Sequence, residues 1–254
     1  MPADSHAHLS SKWFKDLSIV MKNARDVQVR PIINSCIIPE LYMQSLQDAK
    51  QYPELYVSLG YSPAYLHKLD WDNTMSLIKK NASDIISVGE VGLDYHWIKD
   101  SSLQKKQRQT FEQILDLTNE LKKPVFIHSR KAEEDVLSIL KRKAETLVIL
   151  HCFAGSIKQA KDAVEHGWLI SIPTVVTNRK KHRKLAFKIP LENLVAETDA
   201  PFLSPYPYVE KKAKNEPMNV VYAIKEIAKL KDMEESDVDG VTTQNVMKII
   251  EGKH

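Results

Sequence analysis

Short apolar runs and longer amphipathic segments alternate eight times along the 254-residue chain. The apolar runs are rich in Val, Ile and Leu, as in residues 55–60, 124–128 and 147–151. The segments between them carry apolar residues three and four positions apart, as in the helix predicted from Ser101 to Lys122. Strands that are apolar along their whole length are typical of a parallel sheet covered by helices. The alternation predicts an α/β fold, a single (β/α)8 TIM barrel, forming one domain over residues 1–254.

A doubly wound open sheet is the structural alternative to a barrel. That fold normally carries a glycine-rich phosphate loop after its first strand. The chain has only 7 glycines and no G-x-G-x-x-G pattern, which favours the barrel. The sequence also predicts two helices after the eighth strand, over 218–231 and 242–251.

Composition excludes several classes of protein. A net charge of +3 does not by itself indicate a nucleic-acid partner, and two cysteines cannot build a disulfide framework. We find no basic-then-apolar leader and no apolar run long enough to span a bilayer. We therefore expect a cytoplasmic protein that does not bind membranes and needs no obligate protein partner.

Residues that can bind metal ions occur at the ends of predicted strands. His6 and His8 are two positions apart, so on a strand their side chains share one face. Further candidates end four later strands: Glu90, His128, His151 and Asp199. Parallel strands bring these ends to the same mouth of a barrel, where active sites are built. Six ligands exceed the need of one catalytic ion, whereas two ions that share a carboxylate would use them all.

Several motifs resemble the TatD-type metal-dependent deoxyribonucleases of the amidohydrolase superfamily. The motifs are D-S-H-A-H-L at 4–9, G-E-V-G-L-D-Y at 89–95, H-S-R at 128–130, H-C-F-A-G-S at 151–156, E-T-D-A-P at 197–201 and N-E-P at 215–217. The resemblance implies a TIM barrel that hydrolyses phosphodiester bonds with two divalent ions (Mg, Mn or Zn). It also implies a nucleic-acid substrate, DNA above all, cleaved from single-stranded ends.

Roles for individual residues follow from the same resemblance. His6, His8 and Asp199 would hold one ion, His128 and His151 the other, and Glu90 would bridge them. Glu90 and Asp199 would be the catalytic carboxylates, with Asp199 taking a proton from the attacking water. The residues implied in substrate binding are Arg130, Lys214 and Asn215. Asp4 and Asp94 are candidates for orienting the histidines, or else for capping turns.

The chain departs from the family pattern in two places. Ser62 stands where the family has the histidine of G-x-H-P, and a serine cannot carry positive charge. His67 lies nearby and could substitute, although an exposed loop histidine is the favoured interpretation. Before Asn215, lysines replace the family's arginines, which removes the bidentate fork that arginine offers to phosphate.

Other functions remain open at this level. An esterase, a lactonase or a D-aminoacyl-tRNA deacylase could use the same ligands, and Ser62 keeps this alternative open. A non-catalytic nucleic-acid binder is disfavoured because the ligand set is complete. The basic run Arg179–Lys184 could hold a nucleic-acid backbone or be a solvated helix face. Aromatic residues of the predicted mouth loops could stack on bases: Tyr61, Tyr65, Tyr95, Trp97, Phe153, Phe202, Tyr206 and Tyr208.

Overall fold

The computed structural model describes residues 1–252 and contains one eight-stranded parallel sheet in the order β1 to β8. The strands are β1 (Asp4–Ala7), β2 (Ile32–Cys36), β3 (Leu55–Leu59), β4 (Ser87–Asp94), β5 (Val125–Arg130), β6 (Val148–Leu150), β7 (Leu169–Pro173) and β8 (Leu194–Glu197). The helices are α1 (Leu17–Asp26), α2 (Tyr42–Gln51), α3 (Trp71–Lys80), α4 (Ser101–Leu121), α5 (Glu133–Lys143), α6 (Ile157–Glu165), α7 (Lys180–Lys188), α8 (Val220–Lys231) and α9 (Glu235–Glu251). Within this part of the chain, no helix combines the length and apolarity needed to cross a membrane.

The sheet closes where the first strand meets the segment after the last. The Asp199 N–H donates to the His6 carbonyl at 2.9 Å, and the His8 N–H donates to the Ala200 carbonyl at 2.7 Å. Ala7 and Ala200 form a parallel bridge at the same place. The molecule is therefore a (β/α)8 TIM barrel, as the alternation in the sequence predicts.

Local sequence signals explain where the helices begin. The Asp70 side chain caps α3, and the Asp100 side chain caps α4 by accepting from the Leu103 N–H. At α6, Ser156 and Gln159 form a reciprocal capping box. These caps fix the points at which the loops before α3, α4 and α6 turn into their helices.

Two groups of apolar side chains form the core. The larger one lies between the barrel and its helices. The smaller one fills the amino-terminal end of the barrel, which we call the base: Ala3, Ile33, Phe126, Leu147, Ile149, Leu169, Val195, Val246 and Ile249. Polar residues follow base residues at a spacing of two, and so share their inward face: His128 after Phe126, His151 after Ile149 and Glu197 after Val195.

Several element boundaries differ from the prediction, above all the end of the fourth strand and the start of the final helix. The fourth strand continues to Asp94, so Glu90 lies within β4 instead of at its end. Gly89 and Gly92 permit this course, because a Cβ at Gly92 would lie 2.1 Å from the His128 carbonyl oxygen and one at Gly89 2.7 Å from Phe126 Cβ. The final helix begins at Glu235, seven residues before the predicted start, and its first turn carries Glu235 and Asp237, where the helix dipole favours negative charge.

Candidate metal centre

The six predicted ligands converge at the carboxyl-terminal mouth of the barrel. Their nitrogen and oxygen atoms form three overlapping groups, each with its atoms within 4.8 Å of one another. The groups are His6, His8 and Glu90; His6, His151 and Asp199; and Glu90, His128 and His151. The strand ends and the turn after β8 thus place every candidate ligand in one cluster.

The first group has the spacing of ligands around one ion. His6 Nε2 lies 3.4 Å from His8 Nε2, and both lie 3.3–3.4 Å from Glu90 Oε2. Atoms that bind one tetrahedral ion at about 2.0–2.2 Å lie about 3.3–3.6 Å from each other. Asp199 Oδ1 is 3.3 Å from His8 Nε2 and so continues the same arrangement. The donor set therefore fits a divalent metal ion.

The two oxygens of Glu90 face different imidazoles. Oε2 faces His6 and His8, whereas Oε1 lies 2.7 Å from Nδ1 of His128. A carboxylate with this orientation can contact two ions at once. The bridging role of Glu90 and the number of ions stay predictions, and the geometry is compatible with both.

Hydrogen bonds orient two of the imidazoles toward the cluster. His8 Nδ1 lies 2.7 Å from the Ser35 carbonyl, and His151 Nδ1 lies 2.9 Å from Glu197 Oε2. Because these oxygens accept, each Nδ1 carries a proton, and in the neutral imidazole Nε2 is the nitrogen left to bind a metal ion. The sequence prediction did not assign this role to Glu197, although its inward position two residues before Asp199 was the available signal.

Asp94 and Asp4 have different contacts. Asp94 Oδ2 lies 3.1 Å from His128 Nε2, so Asp94 does contact a histidine ring as expected. Asp4 contacts no imidazole ring among residues 1–252; it accepts from the Thr198 N–H and hydroxyl and from the His6 backbone N–H. Asp4 therefore holds the seam between β1 and β8 instead of orienting a ligand.

The buried charges shift several pKa values. Burial acts to raise the pKa of Glu90, but the charge of His128 and its hydrogen bonds hold that pKa well below the usual value. Burial acts to lower the pKa of His128, but the adjacent Glu90 and Asp94 carboxylates raise it to about 10. The cluster without metal is therefore held together by imidazolium–carboxylate attraction, the same carboxylate charge that would attract a cation.

The predicted substrate-binding residues lie in different environments. Arg130 ends β5 and is exposed, with its guanidinium 5.4 Å from the centre of the Trp97 ring. Lys214 is exposed and donates to the Trp13 carbonyl at 2.6 Å. Asn215 is fully buried, and its amide donates to Thr174 Oγ1 and the Thr198 carbonyl. All three assignments to substrate binding stay predictions.

The remaining sequence candidates separate by exposure. Ser62 is partly buried and lies directly before the 3-10 turn Pro63–Lys68 that follows β3. His67 lies within this turn and is exposed. Tyr61 and Phe153 are fully buried, so these two of the proposed stacking aromatics cannot reach a base.

The basic run after β7 also divides in two. Arg179, Lys180, Lys181 and Lys184 are exposed, whereas Arg183 forms an ion pair with the buried Glu226. Arg183 therefore connects α7 to α8 and does not belong to a free cationic surface.

A TIM barrel whose mouth gathers buried imidazoles and carboxylates in this way is the architecture of a metal-dependent hydrolase. Residues 3–251 match the family model described as TatD related DNase, and the chain belongs to this family.

Individual relatives agree with the family match. The chain is 36% identical to an uncharacterized metal-dependent hydrolase of Methanocaldococcus jannaschii, over 96% of this chain and 95% of the relative. It is 29% identical to the human deoxyribonuclease TATDN3, over 97% and 93% of the two chains. Among solved structures, a TatD homolog from Escherichia coli superposes with a TM-score of 0.86 at 25% identity, covering 98% of this chain and 96% of that one.

Proposed function

We propose that the protein is a deoxyribonuclease that removes nucleotides from the ends of single-stranded DNA, using a pair of divalent ions. The observation that carries the two-ion part is Glu90, whose Oε2 faces His6 and His8 while its Oε1 faces His128. The name of the human relative supports DNA as the substrate.

The chemistry divides between the ions and the residues of the chain. When bound, divalent ions would supply a nucleophilic hydroxide near neutral pH and stabilise negative charge on the phosphate oxygens. His6, His8, Glu90, His128, His151 and Asp199 would hold them. Glu197 keeps His151 in the tautomer that presents Nε2, and Ser35 does the same for His8.

Asp199 is the residue best placed to handle the proton of the water. Its side chain retains 13% exposure, more than Glu90 at 6%, so one edge of the carboxylate reaches the open mouth. Hydrogen bonding to His8 and the charges of the nearby histidines outweigh burial and lower the pKa of Asp199. The carboxylate is therefore ionised at neutral pH and can accept a proton as the bond to phosphorus forms.

Cations around the mouth support an anionic, polymeric substrate. Arg130 ends β5, Lys214 follows β8, and Lys180 and Lys181 begin α7, all of them exposed. The first turn of α7 contains no acidic residue to offset its lysines. Positive side chains at the amino-terminal end of a helix are repelled by each other and by the positive end of the helix dipole. A bound anion would offset this repulsion.

A second candidate is a hydrolase of carboxylic esters, such as a lactonase, an esterase or a D-aminoacyl-tRNA deacylase. Ser62 favours it, because it replaces the cationic or proton-donating histidine of the family's G-x-H-P after β3. The metal ligands would be used in the same way, with a carbonyl carbon in place of phosphorus.

The two candidates separate in one assay series. The protein is reconstituted with Mg²⁺, Mn²⁺ or Zn²⁺ and tested on end-labelled single-stranded DNA and on a panel of esters and lactones. We expect metal-dependent release of nucleotides and two ions per chain by elemental analysis. Full activity with one bound ion would overturn the two-ion scheme, and ester turnover without DNA cleavage would favour the second candidate.

A further inference from the structure

Exposed aromatic side chains are concentrated at the mouth of the barrel. Within residues 1–252, the exposed aromatic side chains are Tyr65, Trp97, Phe187, Phe202, Tyr206 and Tyr208. All except Phe187 lie in segments that follow a strand, after β3, β4 or β8. An aromatic ring left in water forgoes the gain of burial, so a concentration of such rings beside a metal centre indicates a ligand surface.

The first surface lies beside His8, and we call Phe202 with Trp13 the Phe202 platform. Phe202 is 42% exposed and its ring centre lies 6.0 Å from that of His8. Trp13 supports it edge-on at 5.2 Å. Two cations flank the pair: Lys12 Nζ lies 4.9 Å from the Trp13 ring centre, and Lys214 Nζ binds the Trp13 carbonyl.

The second surface lies beside His128, and we call Trp97 with Arg130 the Trp97 platform. Trp97 is 63% exposed, and the Arg130 guanidinium lies over its ring, 5.4 Å from the ring centre. The Trp97 backbone N–H donates to Asp94 Oδ1 at 2.9 Å, and the other oxygen of Asp94 contacts His128 Nε2. One carboxylate therefore fixes the position of the platform relative to a metal ligand.

The two platforms lie on opposite sides of the metal centre. The Phe202 platform follows β1 and β8, whereas the Trp97 platform follows β4 and β5. In a closed sheet with the order β1 to β8, these pairs of strands face each other across the barrel. A ligand whose reacting atom lies at the centre can thus extend toward one aromatic surface in each direction.

We propose that the two platforms stack the bases on either side of the scissile phosphodiester, so that the substrate crosses the mouth as an unpaired strand. The proposal rests on the proposed nuclease function and adds how the strand is held. Base stacking on aromatic rings tolerates every base, and the adjacent Lys12, Lys214 and Arg130 can contact the backbone. Bases paired in a duplex could not lie on both rings, so the platforms select single strands.

The test uses the metal-loaded enzyme and three diesters of one chemistry. Thymidylyl-thymidine has a base on each side of the phosphate, whereas the 3′- and 5′-methyl phosphodiesters of thymidine each lack one base. Phe202→Leu keeps the packing against Trp13 without the ring, and Trp97→Ala removes the second platform. Phe187→Ala, an exposed ring at the far end of α7, is the matched control.

We expect each platform variant to lower kcat/KM on thymidylyl-thymidine by about 5- to 150-fold, with Phe187→Ala unchanged. The loss should shrink on the methyl diester that lacks the corresponding base, and the two variants should respond to opposite diesters. Trp97→Phe should restore most of the loss, because it restores a stacking face. Equal losses on all three diesters, or no loss, would overturn the proposal.

Binding separates this proposal from the nuclease assignment. Fluorescence anisotropy with labelled oligothymidylate carrying hydrolysis-resistant phosphorothioate linkages gives Kd for every variant. If the wild-type protein cleaves no diester but both rings contribute to Kd, the nuclease assignment fails and the platforms stand. If it cleaves diesters and both variants match it in rate and Kd, only the platforms fail. Absence of both binding and cleavage in the wild-type protein would overturn both.

Discussion

The base and the mouth of the barrel are built from the same strands but differ in what they contribute. On β5 and β8 the inward face changes from Phe126 to His128 and from Val195 to Glu197, and His151 follows Ile149 where β6 ends. Two residues of a strand span about 7 Å, so an apolar layer lies directly beneath the polar one. The apolar side chains of the base stabilise the fold by their burial. The charged side chains of the mouth lose hydration when they are buried, which costs free energy.

This contrast indicates a division of labour between the two layers. Buried ions lose their hydration, and the attraction between imidazolium and carboxylate groups offsets only part of that cost. The apolar base offsets that cost and holds the strand ends in register. Substitutions at the mouth should therefore change chemistry with little loss of stability, and substitutions at the base should do the opposite.

Asp199→Asn should give the largest effect and tests the mouth. The amide retains one oxygen for a metal but cannot accept a proton, so we expect turnover to fall by about 10²–10⁴ with moderately weaker metal binding. Since the nearby histidines lower the pKa of Asp199, loss of its charge should lower the unfolding temperature of the metal-free protein, but by less than the loss of a buried ring from the base. Nearly full turnover at saturating metal would reduce Asp199 to a ligand and leave the proton to another group, Asp94 or His67 being the nearest candidates from the sequence.

Phe126→Ala tests the base. Phe126 is fully buried in the base cluster and its ring centre lies 5.7 Å from that of His6. Removing a buried phenyl ring costs about 3–5 kcal/mol, measured as the free energy of unfolding in urea without metal. If the variant kept its stability and instead lost turnover to the extent of Asp199→Asn, the division between base and mouth would be wrong.

Glu197→Gln tests whether Glu197, which lies directly above the apolar layer, acts with the metal centre or only in packing. Glu197 is fully buried on the inward face and accepts from His151 Nδ1 and, at 2.5 Å, from Ser171 Oγ. The amide oxygen can still accept from His151, but the lost charge makes the imidazole a weaker ligand. We expect metal affinity to fall by about 10- to 100-fold, measured by competition with a chelator. An unchanged affinity would make Glu197 a packing residue of the barrel interior.

Replacing Lys180, Lys181 and Lys184 by Ala tests the rim outside the metal centre. Arg183 is left intact because its ion pair with Glu226 connects α7 to α8. Each lost phosphate contact should lower the slope of log Kd against log salt for single-stranded DNA by about 0.7. A slope equal to that of wild type would identify the cluster as a solvated helix face.

Ser62→His should have the smallest effect. It restores the family's G-x-H-P at a partly buried position directly before the turn that follows β3. A histidine there can carry a proton or a positive charge toward a phosphate, so we expect a modest rise in the rate of DNA cleavage. A rate that stays level or falls, together with ester hydrolysis by the wild-type protein, would indicate that this loop serves another substrate.

The sequence alone determined the architecture and which polar side chains meet at its mouth. Uninterrupted apolar runs with helical stripes between them admit few folds other than a parallel barrel, and polar residues after those runs must meet at its mouth. For His6, His8, Glu90, His128, His151 and Asp199, this was enough to predict one cluster, which the structure contains.

Only the tertiary structure decided which polar residues form hydrogen bonds or ion pairs with which others. Asp4 and Glu197 look alike in the sequence, yet one holds the seam of the barrel and the other orients His151. Arg183 is not part of the exposed basic surface, because it forms an ion pair with the buried Glu226 of the neighbouring helix. The physical reason is that apolar periodicity depends on local spacing, whereas a hydrogen bond or an ion pair depends on the approach of residues far apart in the chain.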